Sequence, residues 1–174
     1  MSDHVDEINS VVKFYKDNQH RLIQFQASVE AFFSKHPKLT QKPFPIIHSI
    51  KTRLKDPDHL KDKIQRKLSD GVQISNDNLF GKITDLIGIR VLHLYQDQFP
   101  IIHTEILKYI EQGDWTFVEE PKAMTWDPES KKMYDDLKIT TEIRSTFYTS
   151  VHYLIKPNNN NPNNLDTLEA FEDG

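Results

Sequence analysis

Five glycines serve the whole chain, at positions 71, 81, 88, 113 and 174, and no two lie closer than seven residues. A Gly-x-Gly-x-x-Gly turn and a Gly-x-x-x-x-Gly-Lys loop both need closer glycines, because only there can backbone amides close around a phosphate. The dinucleotide-binding doubly wound fold and the P-loop fold are therefore excluded. Any phosphate ligand has to be held by side chains.

Other classes fall away on composition. A chain of 174 residues that is 37% hydrophobic closes one ordinary core and is read as a single domain. The net charge of −4 excludes attachment to nucleic acid by bulk charge, so any polyanion site must be local. The absence of cysteine removes disulfides, thiolate zinc sites and cysteine nucleophiles. MSDHVDEINS has neither the basic start nor the apolar run of a signal peptide, and no stretch reaches membrane-spanning length. These features predict a cytoplasmic protein with no membrane partner; they are compatible with a homo-oligomer.

Apolar residues at three- and four-residue steps from Val5 to Phe33 predict one long amphipathic helix, whose plain role is a structural layer over a sheet. Residues 43–54 read as an extended entry and a strand, and Asp58 as the N-cap of a helix to about Lys67. Ile87 to Tyr95 is β-branched and bulky, a central strand. A helix over 97–112 ends at Gly113 in the C′ role, a strand follows at 115–119, residues 121–136 read as a surface loop, and strands follow at 137–144 and 150–156. This order predicts an α+β fold, a mixed sheet with helices packed on it. It divides into a helical segment (1–42), a mixed domain (43–157) and a polar linker with an acidic tail (158–174).

Three segments depart from the average. Residues 38–67 hold nine Lys or Arg against three Asp, a local +6, and Lys51, Arg53 and Lys55 alternate so that a strand would show them on one face. The plain reading is an edge strand guarded by lysine. Asp85 precedes an apolar strand in which Gly88 permits close backbone approach and Arg90 sits among residues that would otherwise be buried. Such charges are paired with each other or hold a metal or phosphate. In Tyr148-Thr-Ser-Val-His-Tyr153, Tyr148, Ser150 and His152 share a strand face, a platform suited to a nucleobase and its sugar phosphate, or simply core.

In this order the three segments resemble the synthetase domain of the RelA/SpoT family. Arg53-Leu-Lys55-Asp-Pro-Asp-His59-Leu-Lys-Asp-Lys63 matches the arginine and both lysines of Arg-x-Lys-Ser-x-x-Ser-x-x-x-Lys, with Asp56 and His59 in place of the serines. Asp85-Leu-Ile-Gly88-Ile89-Arg90 matches Asp-x-x-Gly-Ile-Arg in full, and Phe147-Tyr148-Thr-Ser150-Val-His152 matches Gly-Tyr-x-Ser-x-His with Phe for Gly. Arg144 stands where the family places a lysine. The resemblance covers about 44–156 and implies a nucleotidyltransferase-like fold. It further implies transfer of pyrophosphate from ATP to the 3′-hydroxyl of GDP or GTP with Mg²⁺. Arg53, Lys55 and Lys63 would grip ATP, Asp85 would hold Mg²⁺, and Arg90 would support the site. Tyr148 would stack on guanine, with His152 and Arg144 fixing the acceptor.

The family's next strand carries Glu-(Ile/Val)-Gln-x-Arg-Thr. Here Lys156 is followed by an asparagine run and Leu165-Asp-Thr-Leu-Glu169, so Glu169 is the carboxylate a hairpin partner could supply. The readings this leaves are a truncated synthetase, a diverged one using Glu169, an inactive nucleotide-binding regulatory module, and a toxin-type relative that pyrophosphorylates tRNA.

Overall fold

The computed structural model describes residues 2–158, 160 and 161; Glu169 and the acidic stretch around it lie outside the described residues. Two helices stand where the periodicity predicts one, α1 (Ser2–Asp17) and α2 (Gln19–Lys35). The break is Asn18, whose side-chain amide donates to the Phe14 carbonyl at 2.9 Å. Adjacent Asp and Asn compete with helical backbone bonds, which ends α1 within a continuous apolar stripe.

There follow β1 (Ser49–Leu54), α3 (Pro57–Ser69), α4 (Leu79–Lys82), β2 (Ile87–Leu92), α5 (Phe99–Glu111), β3 (Trp115–Thr125), α6 (Pro128–Asp136), β4 (Thr140–Ile143) and β5 (Ser150–Pro157). The fold is α+β, and its strands form two sheets: β1 antiparallel to β2, and β4-β3-β5 with β3–β4 parallel and β3–β5 antiparallel. No described helix is long and apolar enough to cross a membrane.

Three local expectations are corrected. The N-cap of α3 is Asp56, not Asp58; Asp56 accepts from the Asp58 and His59 amides, and Pro57 takes the first helical position, where its missing N–H costs nothing. The same Asp-Pro signal recurs at Asp127-Pro128 and starts α6 inside the expected loop, while β3 runs on to Thr125. The strand expected from Leu137 begins at Thr140, because Lys138 (φ 61°) caps α6, with Ile139 N–H donating to the Tyr134 carbonyl and Lys138 N–H to that of Asp135. Gly113 fills its expected C′ role at φ 84°.

The chain divides into two compact units, one taking the described residues as far as Leu92, the other His93–Asn161. In the first, Val11, Tyr15 and Leu22 from the opening helices pack with Leu60 and Ile64 of α3 and with Ile83 and Leu86 ahead of β2. Leu60 and Ile64 are fully buried, and truncating either to alanine would cost roughly 2–5 kcal/mol.

The second unit packs Phe99, Ala123, Tyr134 and Ile139 with Val151 and Tyr153. Between β3 and β5 the register shifts twice, once between Phe117 and Glu119 and again between Glu119 and Lys122. His103 is buried in α5, stacked on Phe99, with Nδ1 2.8 Å from the Tyr153 hydroxyl. Burial lowers the His103 pKa and raises that of Tyr153, so a protonated phenol meets a neutral imidazole.

A folded His pKa below the ordinary 6.5 means that the unfolded chain takes up the extra proton. The stability contributed by neutral His103 is present above about pH 6.5 and fades as pH falls through that value. Calorimetric melting midpoints should therefore drop between about pH 7 and pH 5, and drop less in His103→Gln. An equally steep fall in the variant would place the loss elsewhere.

Candidate functional site

The first unit builds its site around one carboxylate. Asp85 lies just ahead of β2, and its neighbour Leu86 offers a carbonyl to the Lys55 N–H at 2.8 Å, which pins the end of β1 beside it. Lys55 Nζ donates to one Asp85 oxygen at 2.9 Å, and Lys63 Nζ, brought in by α3, donates to the other at 2.7 Å. Burial alone would raise the Asp85 pKa, but the hydrogen bonds from Lys63 and Lys55 and their charges outweigh it, so the group lies below the ordinary carboxylate range. Two ammonium groups on one carboxylate leave a net positive charge at the cluster.

The opening helices hold this end of β1 in place. The buried Tyr15 hydroxyl donates to the Lys55 carbonyl at 2.5 Å, and Gln26 Nε2 donates to the Arg53 carbonyl at 2.8 Å. The amino-terminal segment thus grips the backbone of two predicted site residues.

In the β1–β2 register Lys51 faces Arg90 and Arg53 faces Gly88, so one face of this sheet carries three cations. None of the three has an ion pair among the described residues. Like charges directly opposite are unfavourable unless an anion joins them. Arg90 is exposed, contrary to its expected place in a buried run, and the Asp85–Arg90 pair is absent because both Asp85 oxygens are taken by lysines. Gly88 has a steric role: a Cβ there would lie 2.9 Å from Arg53 Nε and 3.0 Å from its Cγ, so the Arg53 side chain lies across bare glycine backbone.

Beside Arg53 and Lys55 opens a cleft of about 390 Å³, lined also by Asp56, His59, Asp62 and Arg66. Asp62 and Arg66 went unremarked as site residues, although their spacing on α3, with His59 three positions earlier, places them on one helical face. Lys51 does not line this cleft.

The second unit carries the remaining predicted residues. Tyr148 lies ahead of β5 and is half-exposed, while Ser150 and His152 share one face of β5, opposite Met124 and Lys122 of β3. Ser150 Oγ is buried without a hydrogen-bond partner among the described residues. Arg144, following β4, donates to a Glu142 oxygen at 3.0 Å and to Met124 Sδ at 3.3 Å. Glu169 lies outside the described residues.

For a divalent cation the donor set is decisive. Among the described residues no three His, Cys, Asp or Glu side chains gather, and Asp85 stands as a lone carboxylate about one-third exposed. One carboxylate suits a Mg²⁺ that arrives with a polyphosphate supplying the other oxygens; it does not suit an ion caged by protein alone.

Comparison with known proteins gives one family. A family model described as a region found in RelA / SpoT proteins matches residues 52–167. No curated protein and no solved structure gives a significant match.

Two outcomes follow from the geometry. In Lys63→Met, burial of Asp85 is opposed by one lysine instead of two, so its titration midpoint, read from the side-chain carboxyl ¹³C shift, should move up; an unmoved midpoint would deny the bridge. Gly88→Ala should push Arg53 aside and weaken calorimetric binding of inorganic tripolyphosphate roughly two- to fivefold, the scale of one exposed cation, with little change in melting. Unchanged affinity would separate Gly88 from the placement of Arg53.

Proposed function

This chain belongs to the RelA/SpoT family, and we propose that it is a pyrophosphokinase of the (p)ppGpp-synthetase type, passing the terminal pyrophosphoryl group of ATP to the 3′-hydroxyl of GDP or GTP. The observation that carries this reading is the Asp85 carboxylate shared by Lys55 and Lys63, beside a face of three cations that have no ion pair among the described residues. A carboxylate that draws two lysines together brings both ammonium groups to one anion, as a polyphosphate requires. A polyphosphate, carrying several charges, outweighs one carboxylate as their counterion.

Transfer of this kind depends on positioning and charge neutralisation more than on covalent chemistry. Lys55 and Lys63 bind the donor phosphates, Arg53 lies flat against the adenine, and Arg90 adds positive charge on the same sheet face. Asp85 is the carboxylate that would hold Mg²⁺, which when bound supplies further neutralisation of phosphate charge. In the second unit Tyr148 stacks on the acceptor base, and Arg144 and His152 orient its sugar and phosphates. The acceptor 3′ oxygen attacks the β-phosphorus of ATP, the bond from that phosphorus to the α,β-bridging oxygen breaks, and AMP leaves with the bonding pair. The 3′-hydroxyl proton is lost as the new bond forms, and Glu169 is the candidate to receive it.

The asparagine run where the family carries Glu-x-Gln-x-Arg-Thr favours a second reading, a module that binds nucleotides without turning them over. Incubation with terminally labelled ATP, Mg²⁺ and GDP, GTP or tRNA separates the readings. Transfer to GDP or GTP is expected, and Asp85→Asn should lower it by at least about a hundredfold, the scale of losing a centre of charge stabilisation, while keeping the far-ultraviolet spectrum. ATP binding with no transfer to any acceptor would establish the second reading. Transfer to tRNA alone would replace the acceptor.

A further inference from the structure

Helix α2 carries two glutamines where a layer over a sheet would carry apolar side chains. Positions 19, 22, 26, 29 and 33 follow one another by steps of three and four, which is one face of a helix. Leu22, Val29 and Phe33 on that face are buried, and Gln19 and Gln26, half-buried, interrupt the stripe they form. A polar side chain on the packed face of a helix calls for a partner, and both glutamines have one.

Both partners lead to β1. Gln26 Nε2 donates to the Arg53 carbonyl at 2.8 Å. Gln19 hydrogen-bonds the Tyr15 hydroxyl, which itself donates to the Lys55 carbonyl at 2.5 Å. Tyr15 is fully buried in the core that α1 shares with α3, so the hydroxyl is fixed by packing as well as by Gln19. The main chain of Lys55 is thereby held twice, its carbonyl by α1 and its N–H by the Leu86 carbonyl ahead of β2. Of the residues of β1, these contacts select the two whose side chains rest on Gly88 and bond Asp85.

We propose that Tyr15, Gln19 and Gln26 are positioning residues of the polyphosphate site, acting on the bound anion through the main chain of Lys55 and Arg53. The proposal rests on the reading above only in taking Arg53 and Lys55 as ligands of the donor phosphates. Long basic side chains lose rotamer freedom when they meet an anion, and a main chain already fixed at their base leaves less to be ordered on binding. A purely structural layer has no use for these donors, since an apolar side chain at position 26 would fill the stripe as well. The amino-terminal helices are in this sense part of the site.

Inorganic tripolyphosphate titrated calorimetrically into the full chain, without divalent metal, reads the site directly. Gln26→Met keeps the length of the side chain, suits the apolar stripe and removes the donor. Its melting midpoint should hold or rise while affinity falls roughly two- to fivefold, the scale of one exposed cation. Tyr15→Phe, which deletes only the hydroxyl, should weaken affinity on the same scale. The effects should run in pairs: Gln26→Met has no further effect in Arg53→Met, and Tyr15→Phe none in Lys55→Met, whereas Gln26→Met adds in full to Lys63→Met, whose side chain comes from α3. Unchanged affinity in both Gln26→Met and Tyr15→Phe would overturn the proposal. Losses that add in full to those of Arg53→Met and Lys55→Met, or that follow the melting midpoints, would mark a merely structural role and overturn it too. If Arg53→Met and Lys55→Met themselves leave tripolyphosphate affinity untouched, the donor-site reading fails and the proposal with it; if they weaken it and the Tyr15 and Gln26 variants do not, the positioning role alone fails.

Discussion

The first unit depends on a single shared charge. Without Asp85, the ammonium groups of Lys55 and Lys63 would face each other in a partly buried place with nothing between them, and the end of β1 and the flank of α3 would repel. With it, three separate segments, the end of β1, α3 and the turn before β2, are fixed at hydrogen-bond distance. Burial pushes the pKa of this carboxylate up, and the two cations more than offset that, holding it below the ordinary range. The arrangement is more useful for specifying geometry than for stability, since it holds both ammonium groups at one carboxylate.

The opening helices acquire a reason from the same constraint. A layer over a sheet needs only apolar side chains, and α1 and α2 supply them. Tyr15 and Gln26 do something further, because each bonds the main chain of a residue whose side chain belongs to the site. The basic site is therefore anchored from behind by the segment most distant from it in chemical character. Charge changes along the chain: residues 1–92 hold fifteen Lys or Arg against eleven Asp or Glu, whereas residues 93–161 are acidic on balance.

Lys55 and Lys63 were legible as one basic group, because strand alternation and the helix after it can bring them to one place; that Asp85 pairs with these lysines and not with Arg90 was not. Arg53 was legible as a member of an alternating basic strand; its rest upon Gly88 was not, since register between two strands is fixed by pairing and not by either strand alone. The exposure of Arg90 has the same origin: β-branched neighbours suggest a strand buried on both faces, while β2 in a two-stranded sheet turns one face outward. The start of α6 was present in Asp127-Pro128 but was outweighed by the polar composition that follows. Tyr148 was set on the strand with Ser150 and His152, whereas β5 begins only at Ser150.

The two register shifts in β3 have an arithmetical consequence. Each places one surplus residue against β5, which breaks the simple alternation of side chains along β3 once. Two restore the phase. Ala123 therefore shares a side with Val151 against the core, while Lys122 and Met124 share the other with His152 and Ser150. Removing one surplus residue would take out one bulge and leave Lys122 paired with His152, so the face that this end of β3 presents is set by its pairing with β5 and not by the length of the stretch before it.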